Sequence, residues 1–191
     1  MSRPVALIGP QGAGKTTLAE LLVEHRGYCR HPIATGIRRV VQMAYEGGVA
    51  KGETIEVQRF SGRVTLTGRE LMQEIGMALR DVDLHIWLRI WSQGYSELYE
   101  RGIPMVVDDV RLPSEVQMLR VIEPEIIVVR VHADAEVRRE RRAGVFTGTG
   151  DITETGWEGA AFDATIDTTA CTVQEAYAAL VAAIDGGSEN V

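Results

Sequence analysis

The stretch Gly9-Pro10-Gln11-Gly12-Ala13-Gly14-Lys15-Thr16-Thr17 constrains this chain more than any other, because it satisfies the pattern GxxxxGK[ST] without a mismatch. Glycine at 9, 12 and 14 permits positive φ and brings several backbone N–H groups round one polyphosphate. Lys15 then reaches the β- and γ-phosphates, and the Thr16 hydroxyl is offered to Mg²⁺. Gln11, Ala13 and Thr17 complete the expected nucleotide-binding set. The apolar run Val5-Ala6-Leu7-Ile8 precedes the loop, and Leu18, Leu21 and Leu22 follow it at helical spacing. A buried strand therefore leads through the loop into a helix N-terminus.

A chain of 191 residues is long enough for one substantial core and too short for two comfortable domains, so residues 1–191 are expected to form a single α/β domain. With 20 Lys+Arg against 27 Asp+Glu, the surface as a whole repels nucleic acid and anionic membrane. Small anions must then be met by local basic clusters. Cys29 and Cys171 have no partner spacing that suggests zinc, and they read as buried thiols. Neither a signal-peptide pattern nor an apolar run of spanning length is present, which leads us to expect a soluble, cytoplasmic protein.

Along the chain, strands and helices alternate. Helices are expected from about Lys15 to His25, stopping at Gly27, and from Ala34 to Tyr45; a short strand around Tyr28–Ile33 lies between them. Residues 49–66 read as a loop or small hairpin. Thr67-Gly68-Arg69-Glu70 has the form of a capping box and opens a third helix. Another runs from about Val82 to Glu100, where Leu84, Trp87, Leu88 and Trp91 recur at helical spacing and the tryptophans read as core packing rather than ligand contacts. Met105-Val106-Val107 forms a central strand entering Asp108-Asp109, Ile126–Val129 is a further buried strand, and Ala164–Asp167 a last one. A second capping box, Thr172 to Glu175, opens the C-terminal helix. The pattern predicts a three-layer sandwich, a parallel sheet covered by helices on both faces.

Phosphoryl transfer requires anionic groups held in line with their charge compensated, so cations should stand outside the phosphate loop. They do: Arg38 with Arg39, Arg69 with Arg80, and Arg138 to Arg142. On a helix Arg138 and Arg142 share a face while Arg139 is turned away from it, so at most two or three of the four can reach one phosphate chain and the rest read as solvated. Asp109, at the end of a buried strand, is the first candidate to hold Mg²⁺, with Asp108 the alternative, and Arg111 would put a cation beside the transferred group. A phosphate-monoester acceptor is already ionised at neutral pH and needs no general base, whereas a hydroxylic acceptor does. Many arginines and no obvious base tilt the reading toward a phosphate acceptor.

Two further segments resemble the phage-type deoxynucleoside monophosphate kinases, over about residues 5–184. Arg69-Glu-Leu-Met-Gln-Glu-Ile-Gly76, followed by Asp83 and Trp87, is similar to that family's Arg-x-x-Leu-Gln-x-x-Gly segment and its tryptophan helix; Asp109-Val-Arg-Leu-Pro-Ser-Glu115 is similar to its Asp-Val-Arg-Phe-x-Asn-Glu segment. The resemblance implies a P-loop NTPase fold with NMP-binding and lid insertions, about 34–100 and 134–160. It implies transfer of the ATP γ-phosphate to a dNMP, giving dNDP and ADP in deoxynucleotide metabolism, in the host cytoplasm if the gene is phage-borne. It further implies that Arg38, Arg69, Gln73, Asp83, Trp87, Asp109 and Glu154 meet the acceptor. Lys15, Arg111, Arg138 and Arg142 would assist transfer. The partner would be the deoxynucleotide itself, with a homodimer left open. Leu112 and Met77 depart from the family's Phe and Thr, which puts base preference in doubt. Rival readings are a P-loop kinase of a hydroxylic or cofactor-precursor acceptor, with Asp83 or Asp109 as base, and a nucleotide-binding ATPase module.

Overall fold

The computed structural model describes residues 2–141 and 156–186, so Arg142 and Glu154 lie outside the described residues. In chain order the first elements are β1 (Val5–Ile8), α1 (Lys15–Arg26), β2 (Cys29–Arg30), α2 (Thr35–Ala44), β3 (Thr54–Arg59), β4 (Gly62–Thr67) and α3 (Gly68–Val82). They are followed by α4 (Ile86–Glu100), β5 (Met105–Val110), α5 (Pro113–Ile122), β6 (Ile127–His132), α6 (Ala135–Arg141), β7 (Ala164–Asp167) and α7 (Val173–Gly186). The chain divides into two compact units, Met1–Pro32 with Ser92–Val191, and Ile33–Trp91.

The first unit is built on a parallel five-stranded sheet in the order β2-β5-β1-β6-β7. Its strands are continuous apolar runs because both faces are covered: Val5, Ala6, Leu7 and Ile8 are all buried, as are Ile127, Val128 and Val129. The direction of the crossovers fixes where the helices go. From β1 the chain moves one way along the sheet to β2, and from β5 it moves the other way to β6. Right-handed connections therefore put α1 and α5 on opposite faces. On the α1 face, Val5, Leu7, Val106, Val129, Val131 and Ile166 form one cluster with Leu18 and Leu22 of α1 and Leu180 and Ile184 of α7. Gly27 ends α1 in the left-handed conformation, as expected of a C-terminal glycine.

The second unit holds α2, the β3–β4 hairpin, α3 and the start of α4. The segment read as loop or hairpin is an antiparallel pair in register from Thr54↔Thr67 to Arg59↔Gly62. Phe60 stands fully exposed at its turn. Thr67 and Glu70 form the capping box that starts α3. Glycine lets this unit close: a Cβ at Gly36 would lie 3.1 Å from the Trp87 ring. Two boundaries differ from expectation. The strand expected at Tyr28–Ile33 shortens to Cys29–Arg30 because only those residues pair with β5, and α3 runs on to Val82 so that α4 begins at Ile86. No described helix is long and apolar enough to cross a membrane.

Candidate active site

The loop between β1 and α1 has the shape its glycines allow. Gly9 has φ 138°, and a Cβ there would sit 2.1 Å from the Val131 carbonyl oxygen, so β6 passes too close for any other residue. Gly14, at φ 96°, caps α1 with no side-chain hydrogen bond, and the first turn of α1 carries no acid. The leading N–H groups of this helix are thus left unspent by side chains, which makes the end a site for an anion. Lys15 is buried, and its Nζ donates to the carbonyls of Gly9 and Pro10 at 2.7 Å each. The cation lies folded back over the loop that the phosphates would enter.

β5 brings acid groups to the same end of the sheet. Along β1 the partners run Val5↔Val106 and Ala6↔Val107 but then Ile8↔Val110, so β5 carries one extra residue against two steps of β1. Such a bulge re-aims side chains at a strand end. Asp108, two residues on from Val106, faces α1 and is 3% exposed; Asp109 is only half-buried. The Thr16 hydroxyl donates to Asp108 Oδ2 at 2.8 Å. The sequence reading ranked Asp109 first for the metal; it is Asp108 that the strand turns toward Thr16.

Asp108 has a second partner that the sequence reading passed over. Arg30, the last residue of β2, donates from Nε to Oδ1 at 3.0 Å and from Nη2 to Oδ2 at 2.8 Å. The pair raises the guanidinium further above its ordinary range, chiefly through the Asp108 hydrogen bond. Its signal in the sequence was a cation at the C-terminal end of a parallel strand. Beyond β5, Glu115 is buried and its Oε2 accepts the N–H groups of Arg111 at 2.8 Å and Leu112 at 3.2 Å. This fixes the turn that carries Arg111, whose Nη1 is buried without a hydrogen-bond partner among the described residues.

From α6, Arg138 donates to the carbonyls of Ala133 at 3.1 Å and Gln11 at 3.2 Å, so it reaches the phosphate loop. Arg141 donates to the Thr168 hydroxyl at 2.9 Å and to the Thr168 carbonyl. The Thr168 hydroxyl in turn donates to Ala13 O at 2.9 Å. The i, i+3 pair Arg138 and Arg141 is therefore what α6 directs to the loop, a spacing that shares a helix face as well as i, i+4 does.

In the second unit the acceptor candidates separate into two kinds. Arg38 and Gln73 are exposed and Arg69 is half-buried on the first turn of α3. Asp83 and Trp87 are committed within their own unit. Asp83 accepts from His85 N at 2.9 Å and Arg89 Nε at 2.8 Å, which hold its carboxyl below the usual range, the His85 N–H first. Trp87 is 1% exposed, and its indole N–H donates to Gly76 O at 3.1 Å. As a correction to the substrate role carried by resemblance, Trp87 is a core pillar; Asp83 caps the start of α4 and stays part-exposed.

A glycine loop from a buried parallel strand into an open helix N-terminus, with a carboxylate from the neighbouring strand on the loop threonine, defines a P-loop α/β protein. Residues 5–155 match the family model for the AAA domain (AAA_18), and the chain belongs to that family. No curated protein sequence matches it. Among solved structures it is similar to a sugar kinase from Janibacter sp. HTCC2649, at 17% identity and TM-score 0.59, covering 97% of this chain and 95% of that one. It is also similar to a gluconokinase from Sinorhizobium meliloti 1021, at 18% identity and TM-score 0.58, covering 99% and 95%. The Mycobacterium tuberculosis APS kinase, solved in complex with AMPPNP and APS, aligns at 14% identity and TM-score 0.56, covering 97% and 99%. At these identities the likeness is one of fold, that of the P-loop small-molecule kinases.

Proposed function

We propose that this protein is an ATP-dependent kinase that transfers the γ-phosphate to a deoxynucleoside monophosphate, yielding dNDP and ADP. The observation that carries this reading is a buried guanidinium nitrogen of Arg111 with no acceptor among the described residues. Both oxygens of Asp108 are committed, to Arg30 and Thr16. A phosphate monoester, ionised at neutral pH, offers such a guanidinium an acceptor and attacks without a general base.

In this mechanism the α1 N-terminus and Lys15 bind the β- and γ-phosphates, Lys15 leaving the Gly9 and Pro10 carbonyls to do so. Arg138, already on the Gln11 carbonyl, and Arg111 hold the transferring group in line and compensate its charge. Arg38, Arg69 and Gln73 are assigned to the acceptor. The Thr16 hydroxyl and Asp108 carboxylate are hard oxygen donors of the kind that suits Mg²⁺. When bound, the metal would neutralise charge on the phosphate oxygens.

The sugar kinase, the gluconokinase and a shikimate kinase from Acinetobacter baumannii among the fold relatives favour a second reading, a hydroxylic or cofactor-precursor acceptor with Asp109 as base. A coupled assay of ADP release from ATP and Mg²⁺ separates the two, run against dAMP, dGMP, dCMP, dTMP, their ribose counterparts, gluconate, shikimate and adenosine phosphosulfate. Stimulation by one or more dNMPs is expected. Stimulation by a hydroxylic compound alone would overturn the nucleotide acceptor, and turnover unaffected by any of them would leave the ATPase-module reading.

A further inference from the structure

Arg30 belongs to none of the segments that carry the resemblance, yet it makes a two-pronged ion pair with a buried acid. It stands at the end of a two-residue strand and spans a sequence separation of 78 to close a fork on Asp108. The Asp108 side chain is 2% exposed and that of Arg30 33%, so the acid is buried and the cation reaches it from the rim. On the far side, Arg30 Nη1 lies 3.9 Å from Glu20 of α1, a loose contact. A lone hydrogen bond from Thr16 would leave the Asp108 carboxylate free to rotate about its last torsion; two parallel donors from Arg30 remove that freedom.

We infer that Arg30 is a positioning residue for the metal end of this site, acting through Asp108. By fixing the carboxylate, it makes Asp108 the acceptor for the Thr16 hydroxyl proton and so leaves the lone pairs of that oxygen available to a divalent cation. Groups that orient a metal's direct ligands are worth about 10–100-fold in metal affinity. Lysine is a poor substitute, because an ammonium is a single point of charge and cannot present the planar fork. The inference rests on the phosphate-loop reading of the site and adds a residue to it.

The test measures binding rather than turnover. A fluorescent ADP analogue is titrated into wild type, Arg30→Ala, Arg30→Lys, Asp108→Asn and the double variant Arg30→Ala/Asp108→Asn, each in excess Mg²⁺ and in EDTA. Arg30→Ala is expected to lose about tenfold of the Mg²⁺-dependent tightening while its affinity in EDTA stays within about twofold, with Arg30→Lys in between. Asp108→Asn should lose a similar amount, and adding Arg30→Ala to it should change nothing more, as expected when one residue acts through the other. Equal losses with and without Mg²⁺ would make Arg30 a structural strut and overturn the inference. So would additive losses in the double variant, or tighter Mg²⁺ binding once the positive charge is gone. Wild type that binds the analogue with no Mg²⁺ dependence would remove the phosphate-loop reading itself, and the role of Arg30 with it.

Discussion

Helices α1 and α7 lie side by side on one face of the sheet, joined near their C-termini by Arg26 and Asp185, and their first turns are built in opposite ways. At α7 the chain satisfies itself: Thr172 Oγ1 accepts the Glu175 N–H at 3.2 Å, and Glu175 Oε2 accepts the Thr172 N–H at 2.8 Å. At α1 no side chain caps the helix and no acid enters its first turn. A capping box is worth stability. Leaving it out at one helix and keeping it at its neighbour marks the end where binding has been put ahead of local stability. The same contrast holds within the second unit, where α3 opens on the Thr67–Glu70 box.

This contrast can be broken from either side. The largest effect is expected from Lys15→Ala, which should lower phosphoryl transfer by at least about 100-fold. Circular dichroism and thermal melting should show the fold intact; retained turnover would take the loop out of the mechanism. Next, Thr17→Glu places an acid in the first turn of α1, giving that helix what its neighbour has. It should weaken Mg·ADP binding about tenfold through like-charge juxtaposition while adding about 0.3–1 kcal/mol of helix stability. Calorimetric titration beside a thermal melt reads both, and opposite signs are the expected result. The converse variant, Thr172→Ala, should cost about 1 kcal/mol, seen as a fall of about 2–4 °C in Tm, with nucleotide affinity unchanged. A matching loss of affinity would mean the two helix ends are not independent.

The smallest effect is in pH. Glu70 and Glu175 have carboxyls held below the ordinary value of 4.5, each first by the backbone N–H of its capping threonine. A carboxyl lowered in the folded state contributes stability that is present above its unfolded pKa and is lost as pH falls through the folded one. Melts of Glu175→Gln and wild type should therefore differ near pH 6 and draw together as pH falls below the ordinary value of 4.5. Curves that stay parallel down to pH 3 would show that the box does not titrate.

The order of elements was legible from sequence because it is written in local periodicity: apolar runs for strands buried on both faces, glycine stops, and two capping boxes that form as spelled. What escaped depends on pairing between distant segments. Which of Asp108 and Asp109 meets Thr16 is decided by the parity of β5 and its extra residue against β1, neither of which a single strand reveals. Arg30 was hidden for a related reason, since its strand is two residues long and its partner lies far along the chain. Trp87 was read correctly as core from its helical spacing, and the substrate role added by resemblance does not fit a side chain with its indole N–H already bonded to Gly76.

The extra residue in β5 also sets how this protein can change length. At the Phe60 turn the hairpin is exposed, and a residue gained or lost there would leave the flanking pairs able to re-form. Between Val107 and Val110 a single deletion would restore even pairing with β1 and keep an aspartate in the strand, so the segment would look intact to the eye. The surviving acid would nevertheless be carried onto a different register, and the turn bearing Arg111 would be drawn in by one step. A change in chain length is therefore expected to be tolerated at the hairpin turn and not between Val107 and Val110 of β5.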